Sequence, residues 1–275
     1  MAVARVFPRR TNATPSDEYA FVGDIPLFLP PEITEVHVSC TFSWDIPEAE
    51  RLAHAWSRIA PVKIGGPAFG DPGGEFIPGM YLKPGYTITS RGCDNHCWFC
   101  EVPRREGPLR EIEIKPGSSV QDNNILACSE EHIRAVFEML KGQKAVTLPG
   151  GIDAGLLKPW HVDLFTEARV QEAFFAYDSP QEWDRLVEAM DIMRGSAWYS
   201  PRRARCYVLC GYPGDTIEAA EKRCVDLLRL GYFPFAMFYR DEAGLQNKTK
   251  EWGRFQRSWT RPAAINATRR TLTEK

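Results

Sequence analysis

Features that mark several other protein classes are missing from this 275-residue chain. No uninterrupted apolar run approaches the length needed to cross a bilayer, and the amino-terminal MAVARVFPRR lacks the apolar core of a signal peptide. The formal net charge is only −2, so no overall excess of charge attracts nucleic acid or an anionic membrane. These absences predict a soluble cytoplasmic protein, with no membrane partner and no nucleic-acid partner indicated.

The chain does contain eight cysteines, and its length suits one large α/β domain. Cys93, Cys97 and Cys100 lie together in TSRGCDNHCWFC, spaced CxxxCxxC directly after the strand-like KPGYTITS. Because disulfides are rare in a reducing compartment, metal chemistry explains this group better. Cysteine sulfur favours iron–sulfur clusters or zinc. Three ligands without an obvious fourth would leave one iron of a four-iron cluster open to a small molecule.

A structural zinc site and a plain electron-transfer cluster are the alternatives for this group of cysteines. Zinc needs a fourth ligand, which His96 within the loop or Cys128 downstream could supply. Structural zinc usually uses two paired sets of ligands, and an electron-transfer cluster usually uses four cysteines. A non-catalytic zinc or iron–sulfur binding module therefore stays open as a second class of function.

The cysteine motif resembles the signature of the radical S-adenosylmethionine (SAM) superfamily. The similarity includes the aromatic Phe99 before the last cysteine and the lead-in Arg91-Gly92. In that family the cysteines bind a [4Fe-4S] cluster, whose open iron holds the amino and carboxylate groups of SAM. Reductive cleavage of SAM then gives a 5'-deoxyadenosyl radical that abstracts hydrogen from the substrate. The resemblance implies an oxygen-sensitive enzyme with a low-potential electron donor such as flavodoxin or ferredoxin, acting on an unknown substrate.

From residue 84 onward, predicted strands and helices alternate, which is typical of a parallel sheet with helices packed outside it. The six predicted strands lie in YTITS, SSVQD, KAVTLPGG, QEAFFAYDS, ARCYVLCGYPGD and FPFAMFYRD. The resemblance covers about residues 84 to 260 and implies an α/β fold, the partial (β/α)6 TIM-like barrel of the family. The segment after the cysteines has too many prolines and glycines for a full helix, so we expect a degenerate first crossover.

Four regions follow from these patterns. Residues 1–33, rich in proline and polar residues, are predicted as an arm, and residues 34–80 as a small β-α-β fragment. That fragment is similar to the last part of a cobalamin-binding domain found in one branch of the superfamily. It lacks the cobalamin-ligating pattern of the branch and is too short for the whole domain. We therefore predict a truncated remnant that binds no cobalamin, a barrel over 81–260 and a tail over 261–275, with a cobalamin-type radical methyltransferase as the alternative enzyme.

Ligands in parallel α/β structures bind beyond the carboxyl ends of the strands. In the family, backbone after strand two or three binds the amino group of SAM, and a polar residue after strand four binds the ribose. A glycine-proline-glycine turn and the aromatic residue of the motif contact the adenine. The resemblance thus assigns cofactor binding to Phe99, Asp122, Asn123, Gly150, Gly151, Asp178, Tyr212 and Gly214. Asp, Asn and Gly also form ordinary turns, and Asp178 could instead cap the following helix.

Two further residues are predicted to act on the substrate. Arg240, after strand six, could bind a carboxylate or phosphate, or could instead pair with Asp241. Cys210 shares one face of strand five with Cys206. If that face lines the barrel, Cys210 could donate a hydrogen atom to a product radical; otherwise it is a packed thiol.

Overall fold

The computed structural model describes residues 2–241, 243–244 and 249–273. The chain forms two compact units: the first comprises residues 2–117 together with 243–244, and the second comprises 118–241 together with 249–273. No helix in the described ranges is both long enough and apolar enough to span a bilayer.

A four-stranded parallel sheet forms the start of the first unit. Its strands are β1 (Ala2–Phe7), β2 (Ala20–Val22), β3 (Ile33–Ser39) and β4 (Val62–Gly65). The strand order is β2-β1-β3-β4, and each neighbouring pair is parallel. Helix α1 (Ile46–Trp56) connects β3 to β4, so the predicted β-α-β fragment is present within a larger sheet.

The prediction of an arm over residues 1–33 was wrong, because β1 is an inner strand of this sheet. Ala4 and Val6 are completely buried in the same core as Trp56 of α1. The charged Arg5 within β1 obscured the pattern of a buried strand. Its guanidinium donates to the carbonyl oxygen of Gly79 at 2.8 Å and pairs with Asp17, so the charge is satisfied inside the unit.

Short elements surround the cysteine motif in the rest of the first unit. They are β5 (Tyr86–Thr87), β6 (Ser90–Arg91), α2 (Val102–Glu106) and β7 (Arg110–Glu111). Strands β6 and β7 pair in antiparallel register. The predicted strand YTITS is therefore divided between two short strands, and the degenerate crossover is confirmed by the five-residue α2.

A parallel sheet organises the second unit. Its strands are β8 (Ser119–Val120), β9 (Thr147–Ile152), β10 (Glu172–Ala176), β11 (Ala204–Cys210) and β12 (Phe233–Phe238). Within this unit the order is β12-β11-β10-β9-β8, with parallel pairing throughout. Predicted strands two to six are confirmed in sequence position, whereas closure into a partial barrel stays a prediction.

The described residues of the second unit form six helices. They are α3 (Glu130–Lys141), α4 (Pro159–Glu167), α5 (Trp183–Arg194), α6 (Ile217–Leu230), α7 (Lys250–Thr260) and α8 (Pro262–Thr273). Ser129 caps α3 by accepting a hydrogen bond from the amide of His132. Thr216 caps α6 by accepting a hydrogen bond from the amide of Ala219. Helix α8 lies in the segment predicted as a tail, and its Ile265 is completely buried.

Candidate functional site

The loop between β6 and β7 carries the three cysteines of the motif. None of Cys93, Cys97 and Cys100 is in a disulfide within the described part of the chain. Cys97 is exposed and the other two are half-buried. The Cys100 amide donates to the Cys97 carbonyl oxygen at 3.0 Å, and burial raises the pKa of the Cys100 thiol. The loop therefore offers three soft donors within reach of solvent.

Hydrogen bonds hold this loop at its two ends. The Gly92 amide donates to Oε2 of Glu106 at 3.2 Å, and the Cys93 amide donates to the Gly107 carbonyl oxygen at 3.2 Å. A Cβ atom on Gly92 would lie only 2.1 Å from the carbonyl oxygen of Pro108. The glycine of the motif thus permits a close approach of the two backbones that join at the base of the loop.

The chemistry of the donors fits an iron–sulfur cluster. Among the residues that the structure describes, no three His, Cys, Asp or Glu side chains converge on the position of a single metal ion. A zinc ion requires such convergence. A four-iron cluster offers a separate iron to each thiolate, so its ligands need only surround it. The three cysteines of this accessible loop are donors of the type that such a cluster uses.

Next to the cysteines, Phe99 is half-buried, and its ring meets the exposed ring of Trp98 edge-to-face at 5.4 Å between centroids. Trp98 is 61% exposed, so an apolar surface stands open beside the thiols. Contact of Phe99 with adenine stays a prediction.

In the second unit, two predicted binding segments lie side by side. A Cβ atom on Gly150 of β9 would lie 2.0 Å from the carbonyl oxygen of Asp122, which follows β8. A Cβ on Gly151 would lie 3.5 Å from the carbonyl oxygen of Asn123. Only glycine allows the first approach. The structure therefore brings these four predicted residues together, and their binding of SAM stays a prediction.

Asp178 follows β10 and links it to the neighbouring strand. Its Oδ1 accepts a hydrogen bond from the Leu209 amide of β11 at 2.9 Å. The alternative role as a helix cap is wrong, because Ser179 and Glu182 form the capping box. Glu182 Oε2 also accepts the Asp178 amide at 2.5 Å. Burial, followed by the nearby Glu182 charge, raises the pKa of Asp178 to about 7, so this carboxyl can hold or release a proton near neutrality.

A buried ion pair fixes the turn after β11, which contains the predicted Tyr212 and Gly214. Asp215 accepts the Gly211 amide at 2.8 Å and a guanidinium hydrogen of Arg223 at 2.9 Å. The two side chains of the pair are 1% and 12% exposed. Arg223 also lies 5.6 Å from the centre of the Tyr212 ring. The sequence pattern did not reveal Arg223, because nothing in its spacing marks a side chain on α6 as the support of a turn.

Of the two roles considered for Cys210, the structure favours the packed thiol. Cys210 is completely buried, and its thiol donates to the Met237 carbonyl oxygen at 3.3 Å. Helix α6 contacts β11, and burial, followed by the nearby Cys210, raises the pKa of its Cys224 thiol. This face of β11 therefore packs against a helix. Arg240, in contrast, is exposed directly after β12, as its predicted role requires.

The opposite face of the sheet carries an aromatic layer that the sequence analysis missed. The Tyr207 hydroxyl donates to the Pro149 carbonyl oxygen at 3.0 Å, next to Gly150. Its ring stacks on Phe174 at 4.6 Å. Arg205, on the same face, lies 4.7 Å from the centre of the Phe233 ring. Strand alternation in ARCYVLC places Arg205 and Tyr207 opposite the cysteines, so the signal was present.

A small cavity of about 40 Å³ lies at the carboxyl ends of β1 and β3 in the first unit. Its lining includes Arg9 and Asp45, joined by a hydrogen bond of 2.5 Å from Nε to Oδ2, together with the ring of Phe42. The chain leaves β1 toward β2 on one side and leaves β3 toward β4 on the other. Such a switch point is where open parallel sheets form ligand crevices.

Comparison with known proteins gives one informative finding. No protein-family model matches the sequence, and no curated protein matches it. A solved structure of the radical SAM methyltransferase TsrM from Kitasatospora setae, with cobalamin and a [4Fe-4S] cluster bound, is similar at a TM-score of 0.60 and 12% identity. The match covers 88% of this chain and 76% of that chain. At this identity the likeness concerns the fold: this chain has a mixed α/β fold with parallel sheets, shared with a radical SAM enzyme.

Proposed function

We propose that this chain is a radical SAM enzyme whose Cys93, Cys97 and Cys100 bind a [4Fe-4S] cluster. The observation that carries the proposal is the loop between β6 and β7, which presents three cysteines in CxxxCxxC order at exposed or half-buried positions. The shared fold supports the same class. When bound, the cluster and SAM would supply a 5'-deoxyadenosyl radical for hydrogen abstraction from the substrate.

The chain's own residues bind and orient the cofactor in this proposal. The backbone at Gly150 and Gly151, held against the segment after β8, receives the amino group of SAM. Asp178 keeps Oδ1 on the Leu209 amide and uses Oδ2 for a ribose hydroxyl. Tyr212 and Gly214, in the turn fixed by the buried ion pair, face the adenine.

Arg240 and an external protein complete the proposed reaction. The exposed guanidinium of Arg240 binds an anionic group of the substrate. A low-potential donor such as flavodoxin or ferredoxin supplies the electron, because the chain offers no second set of clustered cysteines.

The test is anaerobic reconstitution with iron and sulfide, followed by dithionite and SAM, with mass spectrometry of 5'-deoxyadenosine. We expect the wild-type protein to form it and Cys93→Ala to lose both cluster and product. Cys128→Ala is the matched control, since it removes a buried thiol outside the loop and should retain both. A cluster-free Cys93→Ala protein that still cleaved SAM, or about one zinc per chain in place of iron, would contradict the proposal.

A cobalamin-type methyltransferase is the second candidate, favoured by the four-stranded sheet and the cavity at its switch point. This sheet is larger than the predicted remnant, although the sequence still lacks the ligating pattern of the cobalamin branch. At about 40 Å³ the cavity is far smaller than a small-ligand site, so cobalamin binding there would require it to widen. Equilibrium dialysis against hydroxocobalamin separates the candidates: stoichiometric binding favours the methyltransferase, and absence of binding removes it.

A further inference from the structure

Helix α7 carries a row of cations on its exposed face. Lys250, Arg254 and Arg257, with Arg261 at the helix end, follow one another at steps of four, three and four residues, which places them along one side of the helix. All four are exposed. The other side of the helix buries its three aromatic side chains in the second unit. These four cations, called the α7 row below, therefore lie on the exposed side of the helix and run parallel to its axis.

The charge of this segment is opposite to that of the remaining chain. Residues 249–273 contain six basic residues and one acidic residue, a net charge of +5. Because the whole chain carries −2, the other residues together carry −7. This local excess of positive charge creates a positive electrostatic potential at one surface, which the net charge of the whole chain does not reveal.

Five other helices of the chain each pair an exposed cation with an acid one turn away. Such pairs are Arg51–Glu48 on α1, Arg104–Glu101 on α2, Arg134–Glu130 on α3, Arg194–Asp191 on α5 and Lys222–Asp226 on α6. In the described part of the chain, none of the four cations of the α7 row forms an ion pair. Like charges one turn apart destabilise a helix, and the helix dipole disfavours Lys250 at the amino end. Helix stability therefore does not explain the row.

We propose that the α7 row binds the phosphate backbone of a single-stranded nucleic acid. At a rise of about 1.5 Å per residue, the four cations extend over about 16 Å and follow one another every ~5 to 6 Å. A linear polyanion with regularly repeated charges is complementary to such a row, and a flexible single strand can adjust its phosphates to it. Three of the four cations are arginines, which bind phosphate through paired donors.

Two other anionic partners fit the surface less well. A membrane-binding amphipathic helix needs an exposed apolar face, whereas the aromatic face of α7 is buried. An acidic protein presents separated carboxylates on a rigid surface, so it matches a straight row of evenly spaced cations less closely than a phosphodiester chain does. The proposal is independent of the cysteine loop and its cluster.

Fluorescence anisotropy with a labelled single-stranded oligouridylate tests the proposal. For four phosphate contacts, the logarithm of the association constant should fall against the logarithm of salt with a slope of about −2.8. The variant Arg254→Gln/Arg257→Gln should bind more weakly, with a slope of about −1.4. Arg58→Gln/Arg202→Gln is the matched control, because it removes the same charge from exposed positions outside α7 and should keep the wild-type slope.

Three results would overturn the assignment. The first is no binding of the oligouridylate by wild-type protein at about 50 mM salt, where such contacts are strong. The second is an equal loss of binding in the control variant, which would assign binding to net charge alone. The third is binding of a flavodoxin but not of the oligouridylate, lost in the α7 variant, which would assign the row to an acidic protein. Thermal melting of the variants verifies that they are folded.

Discussion

The cysteine loop and the turn after β11 are both proposed to bind the cofactor, but the chain holds them in different ways. In the turn, Asp215 is almost completely buried and connects the Gly211 amide to the guanidinium of Arg223. In the loop, hydrogen bonds fix the two ends, while Cys97 between them is exposed. Contacts within the protein are therefore sufficient to hold the turn. The loop, in contrast, leaves its thiols accessible, and a bound cluster would fix their positions.

This difference separates two kinds of substitution effect. Changes at the turn should lower the free energy of unfolding even without any cofactor, because they break a buried network. Changes at the cysteines should leave the metal-free protein nearly as stable and should remove the cluster. A substitution at the base of the loop, such as one at Gly92, should both lower the free energy of unfolding and weaken binding of the cluster.

The largest expected effect is that of Asp215→Ala. It leaves the Arg223 guanidinium buried without its partner, so the free energy of unfolding should fall by about 3 to 5 kcal/mol. Urea denaturation measures the loss. Asp226→Ala is the control. It removes an acid from α6, the helix that carries Arg223, and the partner of Asp226, Lys222, is 77% exposed. This variant should therefore cost less than about 1 kcal/mol. Equal losses would show that the turn is not held by this pair.

A smaller effect is expected for Gly92→Ala at the base of the loop. The new Cβ would lie 2.1 Å from the Pro108 carbonyl oxygen, at a backbone φ of 77°. We expect a loss of about 1 to 3 kcal/mol in the free energy of unfolding and less iron per chain after reconstitution. Gly107→Ala is the matched control, because its φ is 76° but no atom lies within 4 Å of the added Cβ. The account fails here if both variants load iron equally poorly.

The smallest effect concerns the pH dependence of stability through Asp178. Its pKa is raised from 3.8 to about 7, so the folded protein holds this proton more tightly than the unfolded chain. The stabilisation is complete below about pH 4 and is lost as the pH rises through about 7. Between about pH 6 and pH 7, Asp178→Asn should reduce the fall in unfolding free energy by about 1 kcal/mol. The control variant Asp226→Asn should keep the wild-type pH dependence of the unfolding free energy. If Asp178→Asn keeps it as well, Asp178 is not its origin.

Local patterns were sufficient to predict most of the second unit. The segment ARCYVLC is apolar and bounded by turn residues, and it forms β11 at the expected place. Ser129 likewise marked the start of α3. These signals depend on neighbouring residues alone, which is why a single sequence contains them.

The missed features depend on contacts between distant parts of the chain. Strand β1 contains Arg5, whose charge is satisfied by Asp17 and by the carbonyl oxygen of Gly79 in a much later segment. The two roles considered for Cys210 stayed open in the sequence, because alternation along β11 does not say which side a helix covers. The support of the turn by Arg223 of α6 is another contact of this kind.

The most direct test of the central claim is the electron paramagnetic resonance spectrum of the reconstituted, dithionite-reduced protein with and without SAM. If Cys93, Cys97 and Cys100 leave one iron open, the spectrum should show a reduced [4Fe-4S] cluster whose signal shifts when SAM is added. The shift should persist in Cys128→Ala and vanish with the cluster in Cys93→Ala. A cluster signal that SAM leaves unchanged, or a protein that takes up zinc instead of iron, would contradict the claim.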